Sequence, residues 1–309
     1  LKSIKAIFSS TKKVDNAILR KIWIDTNKQT SILWKDAMKE LDMRNSFSIN
    51  EETYQNGFWD EEQKDALKSL EENGFYILKK QLGREAINKL TSSLDNELTR
   101  PSDSSQQMID LKVCAKDVIE SKQCQYIRWH FDADVFVRMK ELEQLTQEPS
   151  LLKIAREYLG SETICTNKQA WISKGINQQS LIESSSAAQL YHFDYDSFNF
   201  LKVMIYLSDV CTESGPHTYM KTTHKPFKSD EIRKEMHPYG RYNDDQIYYL
   251  IDKSNEVKIC GNAGTVILVD TSGFHKGQIL GKNHTRLMAQ IEFVDCGLQF
   301  GHKHQKQNG

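Results

Sequence analysis

Long apolar runs are missing from this sequence. No stretch approaches the roughly 18 residues that a membrane span needs, and the basic opening LKSIKAIFSSTKK lacks the apolar core of a signal peptide. Charge of one sign is missing too. Lys and Arg number 41 against 42 Asp and Glu, a formal net charge of −1. No global field therefore draws the chain to nucleic acid or to an anionic membrane. Cysteine is sparse and scattered, at Cys114, Cys124, Cys165, Cys211, Cys260 and Cys296, with no C-x-x-C pair. That pattern excludes a zinc knuckle and does not suggest a disulfide scaffold, so reduced thiols and a cytoplasmic location are expected. Only five prolines occur, and neither an internal repeat nor a long low-complexity tract interrupts the chain.

What remains is an ordinary globular composition. The 309 residues are 39% hydrophobic and 27% charged, enough for one large domain with a sizeable core, or a domain with an extension. Residues 1–55 are polar with helical patches such as ILRKIWI and ILWKDAMKEL, and read as an N-terminal helical extension; residues 56–309 read as the main domain. A helix is expected over about 60–74, capped by Gly74, then a short strand FYILKK and a helix at about 83–98. The Ser-, Asp- and Gln-rich segment 100–125 reads as a surface excursion, and helices return at 134–146 and 148–159. After about 160 the texture changes to short β-rich runs: TICTNKQAWI, AAQLYHF, FLKVMIYL, GPHTYM, EVKIC, GTVILVD and RLMAQIEF. Many short strands in one region suggest a sandwich or barrel-like double sheet over about 160–295, interrupted by a partly helical insertion at about 226–255. Helices first and strands later make the class α+β.

The chemistry starts at YHFDYD, residues 191–196. Side chains alternate along a strand, so His192 and Asp194 are expected on one face. A third donor must come from elsewhere, and His275, just after GTVILVD, is the candidate. Two His and one carboxylate form the facial set that leaves Fe(II) open positions for O2 and a co-substrate. Arg286 opens the strand RLMAQIEF. A hairpin through GKNHT would aim its guanidinium into the same cavity, where it can clamp a carboxylate bidentately. Thr285 would add a hydroxyl.

The runs AQLYHFD, FLKVMIYLSDV, ESGPHTYMKTTHK, GNAGTVILVDTSGFHKG and TRLMAQIEF, in that order, resemble the phytanoyl-CoA dioxygenase family. The upstream segments LEENGFYILKKQLGREAINKL and EPSLLKIAREYLG resemble its N-terminal helices, so the likeness covers about residues 60–295. It implies a double-stranded β-helix, a jelly-roll, cupin-like barrel with N-terminal helices packed on it. It also implies Fe(II) held by His192, Asp194 and His275, and 2-oxoglutarate held by Arg286, with O2 as co-substrate. Tyr206 falls near a position where some relatives place an aromatic beside the co-substrate; Lys202 shares its strand face, and both are expected as secondary cofactor contacts with Thr285. Trp171 and Ser173, on the strand entering the barrel, are candidate substrate contacts. Many relatives read G-S-H-K where this chain reads Thr222-Thr223-His224-Lys225, which suggests a different turn. Related halogenases replace the carboxylate by a small residue, so Asp194 favours hydroxylation or a similar oxidation over halogenation.

Weaker candidates stand beside these. His130-Phe131-Asp132 is a second H-x-D, but it precedes a helical stretch that Asp132 or Asp134 would cap. His217 and His224 read as structural, His284 as solvent-facing, and His302 and His304 as part of a polar tail. The expected function is hydroxylation of an unactivated C–H bond in a small-molecule metabolite, with release of succinate and CO2. No protein nucleophile or general base is needed beyond the metal centre, and no nucleic acid, membrane or obligate protein partner is indicated. Two rivals are a catalytically silent barrel that binds or regulates, and a cupin-like metal enzyme that does not use 2-oxoglutarate. The segments 100–130, 174–188 and 226–255 are where substrate identity is expected to reside.

Overall fold

Alternation of apolar and polar side chains builds two antiparallel sheets that enclose one cavity. The computed structural model describes residues 16–45, 57–102, 107–122, 124–176, 187–227, 229–235 and 240–295. His302, His304, Cys296 and most of 174–188 lie outside the described residues, as do parts of 1–55. The strands are β1 (Phe75–Ile77), β2 (Leu98–Pro101), β3 (Val113–Cys114), β4 (Arg128–Phe131), β5 (Ile164–Lys174) and β6 (Phe200–Tyr206). They continue as β7 (His217–Met220), β8 (Glu256–Ile259), β9 (Val266–Val269), β10 (His275–Gly277) and β11 (Thr285–Val294). The large sheet runs β1-β9-β6-β11-β5-β4-β2-β3 and the small one β10-β7-β8. This is the α+β, jelly-roll arrangement with helices on its outer face.

The central strands explain why their sequences look continuously apolar. Every residue of β6 and β9 is buried, because both faces of these strands are covered. Leu201, Val203 and Ile205 of β6, with Leu287, Ala289, Ile291 and Phe293 of β11, pack in one core with Leu70, Leu151 and Ile154 of the flanking helices. The alternate positions point the other way and line the cavity: Lys202 and Met204 from β6, Arg286, Met288 and Gln290 from β11. The helices end where sequence chemistry says they should. Gln63–Asn73 stops at Gly74, whose φ of 90° is the left-handed cap. Pro149–Leu159 starts behind Glu148, whose carboxylate accepts from Leu151 N.

Three expectations are corrected. The 100–125 segment is not only a surface excursion: β2 and β3 widen the large sheet and the helix Ala115–Glu120 follows. Asp132 occupies the N-cap position of the helix Ala133–Arg138 but makes no side-chain cap bond; its carboxylate pairs with Arg100 at 3.1 Å. Third, β10 and β11 do not form a hairpin. β10 pairs with β7 in the small sheet, and β11 pairs with β5 and β6 in the large one, so the GKNHT segment crosses between sheets. The insertion between β7 and β8 carries the helices Asp230–Glu235 and Asp244–Leu250, the latter with an Asn243–Gln246 capping box.

The helices Asn16–Asp25 and Gln29–Asn45 bring Trp23 and Trp34 against the segment that follows His192, at Phe193, Tyr195 and Phe198. Trp23 lies 5.3 Å from Phe193 and 5.0 Å from Tyr195, ring to ring. Lys28, between the two helices, donates to the carbonyls of Thr223 and Ser272 and sits over the rings of Trp23 and Phe227. Among the described residues no helix is long and apolar enough to cross a membrane.

Two predictions follow from this packing. Thr222 holds a φ of 69°, at the position where the resembled family pattern has Gly. A β-branched residue there costs about 1–2 kcal/mol. Thr222→Gly should therefore raise stability by about 1 kcal/mol in urea unfolding, and a loss of stability would refute that strain. Burial pulls the pKa of Lys28 down to about 7, against the pull of Asp270. Between that value and its ordinary 10.5 the unfolded chain holds a proton that the folded chain has shed. Stability from this group thus rises with pH across that window. In Lys28→Met the rise from about pH 7 to 10 should flatten relative to the parent; an identical slope would contradict the assignment.

Candidate metal centre

His192 and His275 meet across a single antiparallel bridge. His192 N donates to His275 O at 2.9 Å and His275 N returns the bond at 2.8 Å. Asp194 N then donates to Thr271 O at 2.7 Å. His192 thus takes part in a bridge and Asp194 lies just beyond it, on an extension of β10's free edge instead of within a long strand. The result is the convergence expected of alternate residues. One donor atom from each of His192, Asp194 and His275 lies within 4.8 Å of the other two. His275 Nε2 is 3.5 Å and His192 Nε2 3.8 Å from the Asp194 carboxylate.

The rings are fixed so that one nitrogen of each is left for a ligand. His192 Nδ1 lies 2.9 Å from Leu190 O, and His275 Nδ1 lies 3.0 Å from Gly273 O. A carbonyl can only accept, so each Nδ1 carries a proton and each Nε2 is the nitrogen turned to the shared point. Burial, then the neighbouring His275, keep His192 neutral by holding its pKa well below the ordinary imidazole value. Burial works against the charge on Asp194, but Lys202, His275 and His192 outweigh it and hold the carboxyl well below its ordinary pKa. The two Nε2 atoms and an ionised carboxylate, with converging donors, form a set that fits one divalent iron.

Lys202 departs from the cofactor-contact expectation. Its Nζ is 2.7 Å from Asp194, 2.7 Å from Asp196 and 3.6 Å from Glu292. It is shared by three carboxylates and aims Asp194. Burial opposes its charge, yet the carboxylates raise its pKa above the ordinary lysine value. Tyr206 is likewise occupied elsewhere: its hydroxyl donates to Ile259 O at 2.6 Å and accepts from His217 N at 2.9 Å, joining the two sheets. Thr285 faces away from Arg286 and accepts from Lys174 Nζ at 2.7 Å.

Arg286 is buried on the cavity wall, held by the Gly215 carbonyl and, at 3.3 Å, by Ser173 Oγ. Its Nε has no hydrogen-bond partner. Gly277 makes room for it, since a Cβ there would lie 3.1 Å from its terminal nitrogen. The cavity is about 400 Å³ and reaches from His192 and His275 past Trp171 to Arg286. It also takes in Arg128, Gln169, Arg241 and Gln290, which sequence reasoning passed over, and His130, the first residue of the second H-x-D. Their signal was the alternation Arg128-x-His130 and Gln169-x-Trp171-x-Ser173 on two adjacent strands. His217, read as structural, also lines the cavity, 5.5 Å from the His275 ring. His224 lies elsewhere, against Glu71 O, and His284 lies near Ser214.

A cupin-like barrel with an inward His-x-Asp and a distal His defines a class of non-haem metal proteins. Within it, this chain belongs to the phytanoyl-CoA dioxygenase family, whose profile matches residues 70–286. The non-heme alpha ketoglutarate dependent carbocyclase SnoK from nogalamycin biosynthesis has a similar structure, with a TM-score of 0.54 at 15% identity over 79% of this chain and 88% of SnoK. So has the epimerase SnoN solved with Fe3+, alpha ketoglutarate and nogalamycin RO, at 0.52 and 13% identity over 75% and 83%. At such identities the likeness is one of fold. No functionally curated protein sequence matches the chain.

Removing the cation shared by Asp194, Asp196 and Glu292 should be severe. Lys202→Met is expected to cost about 3–5 kcal/mol of stability. The loss should shrink as pH falls and the carboxyls protonate. Thermal unfolding across pH measures both, and a uniform small loss would show that the cluster is not balanced by Lys202.

Proposed function

We propose that this chain is an Fe(II)- and 2-oxoglutarate-dependent oxygenase of a small-molecule substrate. His192, Asp194 and His275 would hold the iron, and Arg286 the distal carboxylate of 2-oxoglutarate. One observation carries the reading: the three donors converge at one end of a cavity whose wall presents a buried guanidinium. When bound, iron and 2-oxoglutarate supply the O2-dependent oxidation, coupled to formation of succinate and CO2, that no side chain can perform. The chain's own residues orient and exclude. Leu190 O and Gly273 O lock the two imidazoles. Lys202 fixes the carboxylate of Asp194. Ser173 and Gly215 hold the Arg286 guanidinium in place, where a bidentate grip on a carboxylate adds specificity as well as energy. Trp171, Met204 and Met288 give the cavity an apolar wall, which limits water at the reacting centre.

Hydroxylation of a C–H bond is the outcome we assign, supported by retention of Asp194 as a third donor. Substrate placement against the metal decides the outcome on such a scaffold, and the names of SnoN and SnoK, an epimerase and a carbocyclase, mark the range. Trp171 lines the cavity, which supports the reading of it as a substrate contact, whereas Ser173 is engaged by Arg286.

Binding measurements separate the parts. Asp194→Ala should lose iron affinity and succinate formation together. Arg286→Met should keep iron affinity and lose at least about tenfold in 2-oxoglutarate affinity, as expected for a charge-assisted pair worth roughly 1.5–3 kcal/mol. Wild-type affinity for 2-oxoglutarate in Arg286→Met would favour a cupin-like enzyme that does not use that co-substrate.

A further inference from the structure

The cavity holds more cationic groups than iron and 2-oxoglutarate binding need. Arg128 on β4 stands in register with Ser173 on β5, and Ser173 with Arg286 on β11. One row runs Arg128, Ser173, Arg286 across the inner face of the large sheet. The next row is His130, Trp171, Met288. The Arg128 guanidinium stacks on the Trp171 ring at 4.4 Å. Its Nε is buried without a hydrogen-bond partner. Arg241 lines the same cavity. Among the described residues lining it, Asp194 is the one carboxylate, and Lys202 already engages it.

This arrangement is costly without an anion. Burial, then the positive charge of Arg286, pull the pKa of Arg128 down to about 10, and Arg241 acts in the same direction. Like charges gathered on one partly buried wall repel, and Asp194 offsets this only in part. A guanidinium flat on an indole is also pre-organised to present its N–H edge to a planar or tetrahedral anion. Two strand spacings, roughly 10 Å, separate the backbones of Arg128 and Arg286. A carboxylate held by Arg286 therefore leaves the Arg128 end of the row for a second anionic group.

We propose that Arg128, stacked on Trp171 beside His130, is an anion subsite that takes a carboxylate or phosphate group of the substrate. The enzyme then acts on an anionic small molecule, tethered at Arg128 with its reacting carbon turned toward the metal end. This rests on the iron and 2-oxoglutarate reading of the same cavity.

The test uses the anaerobic Fe(II)·2-oxoglutarate protein and three probes: phenylacetate, phenyl phosphate and uncharged phenylacetamide. Binding is read by calorimetry and by perturbation of the visible charge-transfer absorption. At least one anion should bind, with phenylacetamide about tenfold weaker or more, the factor that loss of a charge-assisted hydrogen bond produces. Preference for phenyl phosphate assigns a phosphate ester, and preference for phenylacetate a carboxylate. Arg128→Met should lose anion binding by a similar factor while keeping 2-oxoglutarate affinity within about twofold. Arg128→Lys should restore part of the anion binding, and circular dichroism checks that both variants fold. The proposal is overturned if neither anion binds the parent, if the amide binds as well as the anions, or if Arg128→Met loses 2-oxoglutarate instead. Unaltered 2-oxoglutarate affinity in Arg286→Met would overturn the underlying functional reading, and is scored separately from the Arg128 result.

Discussion

The reciprocal backbone bonds between His192 and His275 are the constraint on which the site depends. They bring two residues far apart in sequence to one point, and they do so with main-chain groups that no side-chain substitution removes. Around this bridge the side chains alternate. His192 and Asp194 turn inward to the cavity, while Phe193 and Tyr195 turn outward into an aromatic cluster with Trp23 and Phe274. The outward set is the reason the inward set is well placed. Each ring behind the strand limits how far the donors can move. Residues 16–45, which precede the family match, thereby contribute to the rigidity of the metal centre through Trp23 and Lys28.

A second constraint is the double-sided nature of the large sheet. The faces of β6 and β11 divide labour residue by residue: aliphatic side chains anchor the helices and polar ones furnish the cavity. Lys202 shows what this demands. A buried carboxylate donor needs a buried cation, and that cation serves Asp196 and Glu292 as well. Lys202 thus offsets part of the negative charge at the metal end. Elsewhere on the same wall, among the described residues, Arg128 and Arg286 face the cavity.

The parts of the site legible in sequence were those carried by alternation and motif order. H-x-D, the distal His275 and the following Arg286 could be named because strand periodicity and family pattern agree on them. For Lys202, Tyr206 and Thr285 the structure adds polar partners that the sequence did not announce. Periodicity tells which face a residue takes, but not which partner captures its polar atom: Asp194, Ile259 O and Lys174 respectively. Arg128 escaped, and His130 was weighed only as part of a second H-x-D, because β4 looked like the prelude to a helix and its pairing with β5 is a long-range fact. The crossing of the segment between β10 and β11 was hidden similarly, since a Gly- and Asn-containing turn looks the same whether it closes a hairpin or passes between sheets.

The central claim is that three donors hold one iron. Crystals grown without oxygen in the presence of Fe(II) and 2-oxoglutarate, measured on both sides of the iron absorption edge, test it most directly. A single anomalous peak bonded to His192 Nε2, Asp194 and His275 Nε2, with the co-substrate reaching Arg286, is the predicted result. Iron elsewhere, or a co-substrate whose distal carboxylate avoids Arg286, would contradict the account.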